Sequence, residues 1–131
     1  MKWELLLNVA RKLKEIGDNI KNDNIIESYY RSSINRAYYA CYNICADIAR
    51  SYGKEIPQTG KGHSEVKNWL KKHFDKNIEL LNSLESLAYK RKLADYDKEL
   101  PPEYYKNPIV WTEDGLITAE ALINELNEID G

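Results

Sequence analysis

The chain has 131 residues, 43% of them hydrophobic, with 19 Lys and Arg against 21 Asp and Glu, a formal charge of −2 and a pI near 5.7. That size suits one domain, residues 1–131, with a core of its own, and the interspersed charges exclude the broad basic surface of a nonspecific nucleic-acid binder, so any polyanion contact has to be local. No apolar run approaches membrane-spanning length, and charges return too soon in MKWELLLNVARK for a secretion signal, so a cytoplasmic protein with no membrane contact is expected.

From Trp3 to about Ile20, Trp3, Leu6, Leu7, Ala10, Leu13 and Ile20 share a face opposite Arg11, Lys12, Lys14 and Glu15, the pattern of an amphipathic helix. The polar turn KNDN, residues 21–24, follows, with Asp23 or Asn24 as the expected cap of the next helix.

The stretch from Ser28 to Tyr52 has no Gly or Pro and reads as one helix of about seven turns. Tyr30, Ile34, Ala37, Cys41, Ile44 and Ile48 form one apolar stripe, and Tyr38, Tyr42, Cys45 and Ala49 a second beside it. A helix coated on two sides belongs in the middle of a bundle. Its third side, Ser32, Arg36, Tyr39, Asn43 and Asp47, is a narrow polar line and the first place to look for function. Cys41 and Cys45, one turn apart, are expected in the core, since a disulfide is improbable on geometry and a metal site lacks further ligands.

GKEIPQTGKGH then packs three glycines and a proline into eleven residues, a loop. Ser64 opens a short helix with Val66, Trp69, Leu70 and Phe74 on one face and His63 at its start. A fourth helix runs from about Ile78 to Tyr96, and Arg91 falls on its inward stripe, where a buried charge needs a carboxylate, a phosphate-like ligand or a subunit interface. Asp95 is the nearest candidate. KELPPEYYKNPIV, residues 98–110, cannot be helical throughout, and Tyr104, Tyr105 and Trp111 are expected to pin it to the bundle. The last helix starts at Trp111, with Thr112 or Thr118 as cap. The expectation is an all-α, antiparallel up-and-down bundle of about five helices with no strands.

Three phrases, INRAYYACYN (34–43), GHSEVKNWL (62–70) and LAYKRKLADYD (87–97), taken in register resemble the HEPN domain superfamily, in particular its small prokaryotic single-domain branch. The resemblance implies a HEPN-like bundle, homodimeric, from toxin–antitoxin, phage-defence or CRISPR-linked systems and often beside a nucleotidyltransferase-type partner protein. Active members are metal-independent endoribonucleases with an Arg-x(4-6)-His motif at the dimer cleft. Here the motif arginine is Arg91, and Tyr96 stands where the histidine would be. Arg36 and His63 match further polar landmarks, and Asp95 with Tyr96 completes the ADY phrase.

Cutting RNA without metal requires a base, an acid and a cation for the phosphate. Arg91 and Arg36 offer planar guanidinium forks. A phenol such as that of Tyr96 is a poor base at neutral pH, whereas an imidazole titrates in the right range and His63 could replace the missing histidine. Three functions follow. The first is a binding and regulatory dimer whose cleft, lined by Arg36, His63, Arg91, Asp95 and Tyr96, holds RNA, a nucleotide or a partner protein without cutting. The second is an endoribonuclease toxin using Arg91 and His63, and the third an adaptor that only dimerises. No cofactor is expected.

Overall fold

The structure is a computed structural model in which residues 2–73 and 78–130 are described. Six helices occur among them and no strand: α1 (Glu4–Asp18), α2 (Asp23–Ser51), α3 (Lys61–His73), α4 (Ile78–Tyr96), α5 (Pro102–Lys106) and α6 (Pro108–Asp130). The all-α helical bundle read from the sequence is the fold observed.

The central helix is α2, against which α1, α3, α4 and α6 all pack. Every residue of its two apolar stripes is buried, from Tyr30 and Ile34 to Ile48 and Ala49. It begins earlier than Ser28 because Asn22, not Asp23 or Asn24, caps it: the Asn22 side chain accepts from the backbone N–H groups of Asn24 (3.0 Å) and Ile25 (3.1 Å). It ends in a paired set of C-terminal bonds, Lys54 N–H to Ala49 O (3.1 Å) and Gly53 N–H to Arg50 O (3.0 Å). That geometry needs a left-handed residue after the last turn, and Gly53 supplies it at φ 88°.

Two apolar clusters fill the interior. The larger joins the middle of α2 to Leu7, Val66, Trp69, Leu84 and Leu122, and both cysteines lie within it as free thiols. Burial raises both thiol pKa values. The smaller gathers Tyr30, Ile34, Ala94, Leu100, Tyr104 and Trp111 where the proline-rich segment crosses the bundle. Tyr104 and Trp111 do pin that segment, and its prolines start helices instead of merely breaking one. Pro102 and Pro108 each occupy the first helical position, where a missing N–H costs nothing. Hence α5 is an unexpected sixth helix, and α6 begins at Pro108 rather than Trp111. Asn107, not Thr112 or Thr118, caps α6 by accepting from Val110 N–H at 3.2 Å.

Polar ties hold the helices in register. The buried Ser33 hydroxyl donates to Ala10 O at 2.7 Å, joining α2 to α1. Arg11 and Lys14 of α1 reach Glu113 of α6 at 3.6 and 3.5 Å. Arg31 of α2 spreads its guanidinium over the carbonyls of Leu93, Ala94, Asp97 and Lys98, at 2.6–3.3 Å, and caps the C-terminal end of α4. Phe74, expected on the α3 face, lies outside the described residues. Among the described residues, no helix is long and apolar enough to cross a membrane.

Candidate functional site

Helix α3 starts three residues before Ser64, and the reason places His63. Gly62 is buried, and a Cβ there would run into the Tyr42 hydroxyl and Pro57 O. Only glycine lets the first turn of α3 seat against α2 this closely. The His63 ring consequently stacks on Tyr42, with centroids 4.3 Å apart, and lies near Tyr38 and Tyr39 at 5.6 and 6.0 Å. Its Nδ1 is hydrogen-bonded to the Tyr38 hydroxyl.

Arg91 approaches the same tyrosines from α4. Its guanidinium carbon lies 5.0 Å from the Tyr38 ring and 5.7 Å from each of Tyr39 and Tyr96. These are cation–π distances, and they hold the guanidinium in place without using its hydrogens. Of its five N–H donors, one meets a carboxylate, Asp95 Oδ2 at 3.5 Å, and the Tyr96 side chain supplies a further polar interaction. Nε is buried with no acceptor among the described residues. Leaving a buried donor unpaired costs about 1–3 kcal/mol, and such groups concentrate where something other than stability is served.

His63 and Arg91 both open onto a cleft of about 740 Å³, within the size range of small-molecule sites. Tyr39, Tyr42, Tyr96 and Trp3 give it aromatic walls. Arg50, Asn43, Gln58 and Thr59 give it polar ones, and no carboxylate lines it among the described residues. Arg50 ties the wall together by donating to Ile56 O at 3.0 Å and pairing with Asp47 at 3.2 Å, while Trp3 Nε1 donates to Asp47 at 2.7 Å.

Electrostatics follow from this packing. The His63 pKa is lowered, first by burial and then by the charges of Arg91 and Lys67, so the imidazole is neutral at neutral pH. Burial is also the main cause that raises the Tyr38 pKa, so the phenol keeps its proton. Nδ1 is the one hydrogen-bond partner of that hydroxyl among the described residues. Where the phenol donates, Nδ1 accepts and the imidazole proton resides on Nε2. His63 then presents an N–H donor, not a lone pair, beyond its bond to Tyr38.

Of the residues singled out from the sequence, the cleft brings together Tyr39 and Asn43 of the polar line with His63, Arg91 and Tyr96. Arg36 is not among them. It is exposed, about two turns along α2 from Asn43, and lines a separate hollow of about 310 Å³ with Asp95, Asn35 and Arg31. Asp95 links the two places, pairing with Arg91 and accepting from Asn35 Nδ2 at 3.0 and 3.2 Å. Arg50, Trp3 and Tyr42 are wall residues that sequence reasoning missed. Arg50 had a visible signal, since it continues the polar line one turn beyond Asp47. Trp3 had none, because its partner Asp47 is 44 residues away. No group of His, Cys, Asp and Glu among the described residues could hold a metal ion.

Comparison of the chain with family models, with curated proteins and with solved structures gives no match.

Proposed function

We propose that the Tyr39–His63–Arg91 cleft binds the phosphate and base of an RNA or nucleotide, and that the protein is a HEPN-type binding and regulatory component rather than a nuclease. The observation that carries this reading is Arg91, a guanidinium held between tyrosine rings with most of its donors unclaimed, in a cleft that no carboxylate lines among the described residues. A phosphate would complete the guanidinium's bonding, and flat aromatic walls suit a base. The resemblance of the INRAYYACYN, GHSEVKNWL and LAYKRKLADYD phrases supports a homodimer in a prokaryotic toxin–antitoxin or defence system, beside a nucleotidyltransferase-type partner.

The cleavage reading rests on His63 and Arg91 sharing this cleft. Against it stands the bond with the Tyr38 hydroxyl, which takes up Nδ1 and leaves His63 a single ring nitrogen for a ligand. Incubation with transfer RNA in chelator separates the two. Binding without cleavage, weakened about tenfold or more by Arg91→Ala, supports the binding component. Cleavage abolished by His63→Ala and Arg91→Ala supports the nuclease, and RNA and nucleotides both ignored would leave a dimerisation adaptor.

A further inference from the structure

His63 and Arg91 line two hollows, not one. Behind the cleft, a second hollow of about 370 Å³ is bounded by Tyr38, Lys67, Ala88, Tyr89 and Lys92 together with Glu85, and His63 and Arg91 are its walls as well. The two spaces therefore meet across the imidazole and the guanidinium. Lys67 comes from α3 and Lys92 from α4, so two cations face the second hollow from different helices against the single carboxylate of Glu85. Neither lysine has an ion-pair partner among the described residues. Tyr89 is 63% exposed and makes no ring contact among the described residues, an aromatic face left open at the rim.

We propose that this second hollow is a subsite for the next nucleotide of a single strand, with Lys67 and Lys92 holding its phosphate and Tyr89 stacking its base. The inference rests on the proposed function and sharpens it. A mononucleotide carries one base and its phosphates at one end, and the first cleft accommodates both. Filling the second hollow as well takes a ligand whose negative charge and flat surfaces repeat along a chain. Arg91 lies between the two positions and faces the linkage that joins them, which gives its unclaimed donors acceptors from a bridging phosphodiester. The expected ligand is thus an oligonucleotide of at least two residues, and a mononucleotide is a partial one.

The test titrates the whole chain with adenosine 5′-monophosphate, the 5′-phosphorylated dinucleotide and the tetranucleotide. The last two carry 2′-O-methyl riboses so that no cleavage intervenes. The dinucleotide should bind about tenfold tighter than the monophosphate, within the range one stacked base contributes. In the Lys67→Ala/Lys92→Ala double variant this ratio should fall toward one. The salt dependence of dinucleotide binding should also become shallower, by about 0.7 in logarithmic slope for each phosphate that the lysines no longer neutralise. Tyr89→Ala, on an exposed side chain, should lower the same ratio without touching the fold. Equal affinity for the monophosphate and the longer ligands would overturn the subsite and leave the first cleft standing. No binding of any of the three would overturn the functional reading, and the subsite with it.

Discussion

Two arginines on neighbouring helices are buried to almost the same degree, with side chains 18% and 14% exposed, and the protein treats them in opposite ways. Arg31 gives its donors to four carbonyls and to Glu27, and closes the end of α4. Arg91, on α4 itself, has one long bond to Asp95, a polar interaction with Tyr96, an Nε with no acceptor among the described residues and three tyrosine rings about it. A guanidinium whose three nitrogens are each tied to the fold has little to offer a ligand. One positioned by rings keeps most of its fork free, and that difference separates the structural arginine from the proposed binding one.

Breaking the structural arginine should have the largest effect on folding. Arg31→Ala strips a charged cap from several helix-end carbonyls and should lower the unfolding free energy by about 3 kcal/mol. Urea denaturation measures it, and a loss below about 1 kcal/mol would mean that water serves those carbonyls equally well. Gly62→Ala comes next, at about 2 kcal/mol for a methyl forced against Tyr42 and Pro57. It should also move His63 away from Tyr42, visible as a changed ring-current shift on the imidazole. Wild-type stability and an unmoved imidazole signal would contradict the close seating of α3.

Tyr38→Phe tests the proposed binding cleft and should cost about 1 kcal/mol. Its informative readout is the His63 titration followed by NMR. A donor to Nδ1 stabilises the neutral ring, so removing the hydroxyl should raise the His63 pKa toward the ordinary imidazole value. An unchanged or lower pKa would show that the phenol is not the donor. The smallest effect is the pH dependence of folding. Because the native His63 pKa lies below its unfolded value, its contribution is fully present above the ordinary imidazole pKa of about 6.5 and is lost as pH falls toward the lowered native value. Unfolding free energies at about pH 7.5 and 5.0 should differ less in His63→Gln than in the wild type.

Much of the fold was legible because helical periodicity reports burial directly. The Tyr30–Ile48 and Tyr38–Ala49 stripes of α2 are buried as their spacing implies. Helix starts were less legible, since proline and glycine have two meanings. Pro102 and Pro108 read as breakers yet initiate helices, and Gly62 reads as loop yet is the residue whose close packing lets α3 begin at Lys61. For the site, Arg91 was visible as a charge on an apolar stripe. Arg36 sat on the same polar line as Tyr39 and Asn43, but a helix of 29 residues extends about 40 Å and its one line passes more than one hollow. The bond between His63 and Tyr38 had no local signal, because it joins residues on different helices, 25 positions apart.

The most direct measurement follows the arginine side-chain Nε–H cross-peaks of Arg31 and Arg91 in a proton–nitrogen correlation spectrum while the methylated tetranucleotide is added. The Arg91 signal should shift in proportion to the bound fraction while that of Arg31, tied to Glu27 and the end of α4, stays in place. An Arg91 signal that stays fixed at saturating ligand would contradict the account, because binding would then bypass the guanidinium that the fold leaves free.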